Sequence, residues 1–542
     1  MFSKKALLVG AMALTLAACE GGDVNINAND NSVNTDNSIT NPGGGGSADC
    51  GQILDDEGNV VAEGTFDGID CTYPSDFGSP SNPITADITF PAGVHRLSNT
   101  LWIGENVTSG VAPQEGEGPT LTLQQGTTLA FANPTDILVI SRGSQIIANG
   151  TAALPITLTA QSVLDGIEAD NKTQEWGGLV INGNGRTNAC SDSEVAGNNC
   201  HVEAEGGVAG NYGGGNNAES SGSLRFVIVR NGGFEVITDQ EVNGFTLNGV
   251  GSGTVIENIQ AYSNFDDGIE FFGGAASVRN FVAINVWDDS IDFASGWRGT
   301  ITNALIVHSE ANGNRCIEAD NQGGSGNWDA EPFTYGTINN MTCITNSGVA
   351  GARGSGEGPL MRRGTIAKIQ NSIITDVWAR RTAGITSEGE CYELDNQETI
   401  DRAAAVATGD PDSAQTTVNS VVISCAEGLK ESNGTFTAAA GGYADIGDWY
   451  DNGTENSEVV RIEGPASDTP SVSFLNGIYT AASFVDDLGA PVVVTPVAVP
   501  DGATDGNDNP IIGAVSATRD WTAGWVVGLD SLYFDPATGG TP

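Results

Sequence analysis

The chain has 542 residues, 68 acidic and 21 basic, for a formal charge of −47. Charged residues make up only 16% and apolar ones 39%, which is too little charge and too much apolar content for a disordered polyanion. Nucleic acid and anionic lipid surfaces would begin every contact with repulsion, so neither is expected as a partner. Glycine, at 74 residues, is about twice as frequent as the usual ~7% and falls between short β-branched runs, where it reads as turns.

Met1–Lys5 is a short basic start, and Ala6–Ala18 is an apolar run of 13 residues. A membrane-spanning helix needs ~20, so residues 1–18 read as a signal peptide. The run ends in Leu16-Ala17-Ala18-Cys19, which resembles the lipobox of bacterial lipoproteins. That resemblance implies a lipid on Cys19, attachment to a membrane through it, and a mature chain beginning there. Two or three acyl chains at ~0.8 kcal/mol per buried CH₂ would anchor it durably. The next residue is Glu20, not the Asp that usually keeps such proteins at the inner membrane, so the resemblance points to the outer membrane. Residues 19–49 hold almost no large apolar side chain and include Gly43–Gly46. They are expected to act as a tether, its reach roughly 30 Å for about thirty residues.

Besides Cys19 there are eight cysteines, at 50, 71, 190, 200, 316, 343, 391 and 425. An even number suits export to an oxidising compartment. The small-loop preference pairs neighbours (Cys50/Cys71, Cys190/Cys200, Cys316/Cys343, Cys391/Cys425), one choice among 105 connectivities. With three histidines in the chain and no CxxC, a zinc site is not expected.

From Leu121 onward short β-branched stretches are separated by Gly, Asn or Pro, with no amphipathic helix between them. A self-similar unit then appears, headed by Ile256, Val278 and Ile301 at spacings of 22 and 23 residues. Ile338, Ile369 and Val418 echo its opening at longer intervals. This period, with several strands per unit, predicts an all-β fold, a right-handed parallel β-helix; a β-propeller would need blades of about 40 residues. Asn258, Asn280, Asn303, Asn340 and Asn371 recur at equivalent turns and are expected to form a hydrogen-bonded ladder. The expected organisation is an N-terminal cap and first coils over 50–120, the β-helix over 121–425 with an excursion at 384–417 carrying one short helix, and an irregular capping region over 426–542.

Trp176–Gly183, Glu203–Asn216, Ser221–Arg230, Glu241–Thr254, the DDGIEFFGG and DFASGWRG segments and Ile512–Trp525 together resemble a family of Gram-negative surface lipoproteins with right-handed β-helices. The resemblance covers roughly Leu121–Tyr533. It implies fold and location and carries no reaction with it.

Two charge constellations stand out. Asp266-Asp267-Gly268-Ile269-Glu270 aligns with Asp288-Asp289-Ser290-Ile291-Asp292, 22 residues on, and Glu318 and Asp320 follow one coil later. Coils ~4.8 Å apart would stack these acids. Either a hard cation such as Ca²⁺ relieves their repulsion, with Asp266, Asp267, Glu270, Asp288, Asp289 and Asp292 as ligands, or the acids cap turns by accepting backbone N–H bonds. The second constellation gathers Arg353, Arg362, Arg363, Lys368, Arg380 and Arg381. It reads either as an anion-binding patch of Arg forks or as a set of partners for the acidic coils.

Acids and arginines on a β-helix also raise polysaccharide cleavage, but the Gly-His-Gly of polygalacturonase-type hydrolases is absent, as is GxSxG. His95, His201 and His308 sit apart and read as surface or turn histidines. The sequence therefore points to a non-catalytic envelope module, either structural or capturing a glycan beside an outer-membrane protein, with calcium the one candidate ion. A lyase or hydrolase is the alternative.

Overall fold

The computed structural model describes residues 50–529, apart from 55–59, 238–239, 347–349, 377–388, 405–414, 426–427, 438–442, 453–457, 463–483, 486–490 and positions 310, 325, 460, 493 and 517. The signal, lipid and tether readings, together with Arg380 and Arg381, fall outside the described residues.

The repeat folds as a parallel β-helix. The coils from Gly222–Arg230 to Tyr335–Ile344 each contribute a long bent strand to one sheet, where earlier and later coils place two short strands. A short strand from the coils forms a second, ten-stranded sheet. The register is the one the spacing implies. Ile256 pairs with Val278, Val278 with Ile301, Ile301 with Ile338, Ile338 with Ile369 and Ile369 with Val418. The parallel stack begins earlier than the sequence pattern shows, where Cys71–Thr72 pairs with Gly93–Leu97 and Ile88–Phe90 with Thr120–Leu123. Ahead of it, Gln52–Leu54 pairs antiparallel with Val60–Glu63 and with Ile88–Phe90.

The bend in each long strand is where asparagine matters. Asn258, Asn280, Asn303, Asn340 and Asn371 have φ of 55°, 63°, 63°, 54° and 49°, a left-handed conformation that Asn tolerates better than other residues with a Cβ. The expected ladder forms over three rungs: Asn280 Nδ2 donates to Asn258 Oδ1 at 2.8 Å, and Asn303 Nδ2 donates to Asn280 Oδ1 at 2.8 Å. At Asn340 and Asn371 the side-chain amides turn outward instead, donating to the backbone oxygens of Ile511 and Val497 at 2.8 and 2.7 Å.

Those outward bonds correct the expectation that the C-terminal region only closes the end of the solenoid. Residues 494–529 run back along the outside of the long-strand sheet. Ser420 Oγ donates to the Thr495 carbonyl (2.6 Å), Ala514 N to Thr342 Oγ1 (2.8 Å), and Gln260 Nε2 to the Val527 carbonyl (2.7 Å). Past the Asn bend the strands alternate, with Phe281 and Ala283 in the interior and Val282 and Ile284 outside, beneath Trp525 and Val515. An outward row of Val, Ile and Leu needs a cover, and this segment supplies it. The core at the end of the stack is continued by Phe436, Trp449 and Tyr450, which are buried with Ile400 and Ala403 of the helix Gln397–Ala404.

Inside, aromatic rings stack along the axis: Phe131 on Trp176 at 4.6 Å, and Phe271 on Trp297 at 4.4 Å. The disulfides are Cys50–Cys71, Cys190–Cys200, Cys316–Cys343 and Cys391–Cys425, the neighbour pairing that short loops favour.

Candidate functional site

The acidic turns lie where each long strand gives way to the second sheet. Glu270 stands opposite Asp292, and Asp292 opposite Glu318, on consecutive strands of that sheet. The turn acids are threaded by backbone bonds from coil to coil. Asp267 N donates to Asn243 Oδ1 (3.3 Å), Asp289 N to Asp267 Oδ1 (3.0 Å), and Arg315 N to Asp289 Oδ1 (2.8 Å). Each of these side chains thus spends one oxygen on the amide of the coil above it, as turn-capping acids do. They are well covered: Asp267 is 7% exposed and Asp289 4%.

The arginines come to the acids. Arg353 reaches three carboxylates in three successive coils, Glu241 through Nη1 (2.6 Å), Asp266 through Nη2 (3.2 Å) and Asp288 through Nε (2.6 Å). Its guanidinium also lies 5.3 Å from the centre of the Phe265 ring. Arg362 holds Asp320 through Nε (2.7 Å) and pairs with Glu318, while Arg363 holds Asp320 through Nη1 (2.5 Å). One turn further along, Arg315 bridges Glu357 and Glu393, and Lys430 meets Glu390 at 2.5 Å. Of the proposed anion-binding residues, Arg353, Arg362 and Arg363 therefore already face carboxylates of their own chain; Arg380 and Arg381 lie outside the described residues.

Acids still outnumber bases here, and burial makes that imbalance chemical. Burial first, and neighbouring carboxylates second, push Asp266, Asp267, Glu270, Asp289 and Asp292 well above the usual carboxylate range. Burial lifts Glu205 and Glu318 to about 7 and Glu357 to about 8. A column of this kind must hold protons or cations in place of bare charge.

The sequence reading missed several members of this column. Glu205 comes from the long insertion after Leu179–Asn182, hydrogen-bonds Glu270 and has no repeat partner to mark it. Glu241 and Asn243 precede the first clear repeat unit, and Glu357, Glu390 and Glu393 lie where the period stretches. The histidine reading needs correction as well. His95 is fully buried between Tyr73 Oη (2.7 Å) and the Pro91 carbonyl (2.8 Å), and His308 is buried too. Burial lowers both imidazoles to about 4. Only His201 reaches an open surface, in a cavity of about 450 Å³ lined also by Thr108, Ser109, Glu194 and Asn199. There Arg142 Nη2 donates to His201 Nδ1 (2.6 Å), leaving Nε2–H to bond the Gly110 carbonyl at 2.8 Å.

A parallel β-helix with a charged column along its shorter sheet defines the class of protein. A model of the pectate-lyase-like β-helix domain matches residues 109–453, and the chain belongs to that family. Among solved structures, the A-module of the Azotobacter vinelandii mannuronan C-5 epimerase AlgE6 is similar at a TM-score of 0.33 and 10% identity, over 68% of this chain and 84% of that one. No curated protein matches the chain.

Proposed function

We propose that the chain is a lipid-anchored lipoprotein of the outer membrane whose β-helix is a rigid, non-catalytic module for holding polysaccharide at the cell envelope. The observation that carries this reading is the commitment of the acidic column. Asp266 and Asp288 are clamped by Arg353 and Asp320 by Arg362 and Arg363, while Asp267 and Asp289 are buried and bonded to backbone amides. An acid or base that cleaves a glycan, by contrast, must reach its substrate. The pectate-lyase-like family favours a polysaccharide as the ligand class, and the polar cavity around Thr108, Ser109, Glu194 and His201 offers donors and acceptors suited to sugar hydroxyls. Four disulfides support the exported address, and the Cys19 motif supports the anchor.

The test has two arms. Cys19→Ser should release the protein from the membrane fraction in detergent partitioning; retention would remove the anchor. The released chain, screened against neutral and acidic glycans, should bind at least one class without generating reducing ends. Turnover of any of them would make the protein an enzyme, and silence across the screen would leave it a structural element.

A further inference from the structure

The six acids that align in the sequence are not equivalent in space. Asp266 and Asp288 are taken by Arg353, at 3.2 and 2.6 Å. Glu270 accepts from Asn243 Nδ2 at 2.5 Å and is hydrogen-bonded to Glu205. Asp267, Asp289 and Asp292 remain, and no guanidinium or ammonium group bonds any of them among the described residues. Arg362, the cation that acts on Asp292, is already spent on Glu318 and Asp320.

Asp267 and Asp289 each use Oδ1 on a backbone N–H of the next coil, which leaves the second oxygen of each carboxylate. Asp292 Oδ1 is buried and has no hydrogen-bond partner. One oxygen from each of the three lies within 4.8 Å of the other two. A buried, unpartnered acceptor is expensive unless something positive meets it. Three oxygens no more than 4.8 Å apart have a common centre within about 2.8 Å of each, a limit close to the 2.3–2.6 Å at which Ca²⁺ takes carboxylate oxygens and wide for the 2.0–2.1 Å of Mg²⁺.

We propose that Asp267, Asp289 and Asp292 bind one hard divalent cation, calcium in preference to magnesium, and that the ion ties two consecutive coils together. Magnesium is the poorer fit because it requires near-ideal octahedral geometry at shorter distances and keeps several waters. The ion replaces the protons these acids would otherwise need. The site stands independently of any glycan binding.

Isothermal calorimetry on the Cys19→Ser chain after chelation should show one saturable calcium site and a much weaker response to magnesium, and calcium should raise the unfolding midpoint. Asp292→Asn keeps the shape and both backbone bonds of Asp267 and Asp289, and should cost at least tenfold in calcium affinity. A chelated wild-type chain that takes up no calcium overturns the proposal without any variant. So does an Asp292→Asn chain that binds as the wild type does. Loss of binding in Asp288→Asn but not in Asp292→Asn would move the ion to the neighbouring set of Asp266, Asp267 and Asp288 and overturn the assignment.

Discussion

The two sheets share one interior, yet their outer faces are hidden by opposite means. Outside the long strands, Val282, Ile284, Leu305 and Val307 are buried beneath Trp525 and Val515. Outside the short strands the first coils are apolar too, with Trp102, Val139, Val180 and Val242 under Ala204 and Ala209. From Glu270 onward, carboxylates take over and arginines cover them. The apolar cover gains roughly 25 cal/mol for each Å² it removes from water. The acidic column gains nothing of that kind and bears the desolvation of its charges, a cost that can exceed the Coulombic gain of the pairs. One face is accounted for by folding alone. The other bears a desolvation cost that its arginines offset only in part.

The largest expected effect breaks the acidic face. Arg353→Met would strand Glu241, Asp266 and Asp288, and removing one partner from a buried pair typically costs about 3–5 kcal/mol. The cost should depend on pH in a fixed direction. Glu241 and Asp266 are already raised, burial being the main cause, and loss of the guanidinium raises them further. A carboxyl whose folded pKa lies above its unfolded value favours the fold at low pH and ceases to as pH rises through the folded value. The variant should therefore lag the wild type most at pH 8 and approach it near pH 5, in urea unfolding followed by circular dichroism. A gap of constant size would mean that Arg353 acts through packing on Phe265.

The apolar face should behave differently. Trp525 is almost fully buried and meets Phe226 edge-on at 5.6 Å, so Trp525→Ala should cost about 3 kcal/mol, at the lower end for buried aromatics. That loss should be flat from pH 5 to 8 and insensitive to salt. If it followed pH as Arg353→Met does, the two faces would form one coupled unit and the contrast between them would fail.

Much of the frame was legible because a β-helix repeats its geometry. The spacing of Ile256, Val278 and Ile301 is the pairing register itself, and the corner asparagines mark a backbone conformation that few other residues accept. Of the acidic site, the row Asp266–Asp292 was legible for the same reason. What stayed hidden was non-local. Gln260 and Val527 meet across 267 residues, Arg353 reaches back 112 residues to Glu241, and Glu205 arrives from an insertion without a repeat. The outward rows were written in the sequence as unbroken apolar strands, such as Ala304–Val307. Strands of that kind are buried on both faces, and this was the available signal for the C-terminal cover.

The smallest expected effect concerns the corner from which the two faces diverge. Asn280 adopts φ 63° and both donates to Asn258 and accepts from Asn303. Two contributions can be separated there. Asn280→Gly keeps access to the left-handed conformation and removes the side-chain bonds, for a loss of about 1 kcal/mol. Asn280→Ala removes the same bonds and also forces an ordinary Cβ into that conformation, adding about 1–2 kcal/mol. The alanine variant should therefore unfold at lower denaturant than the glycine variant, although alanine is the smaller entropic burden almost anywhere else in a chain. Equal midpoints would mean that the corner is held by packing of Phe281 and Val282 beside it, one facing the interior and the other the C-terminal cover. The asparagine would then matter only as a rung of the ladder.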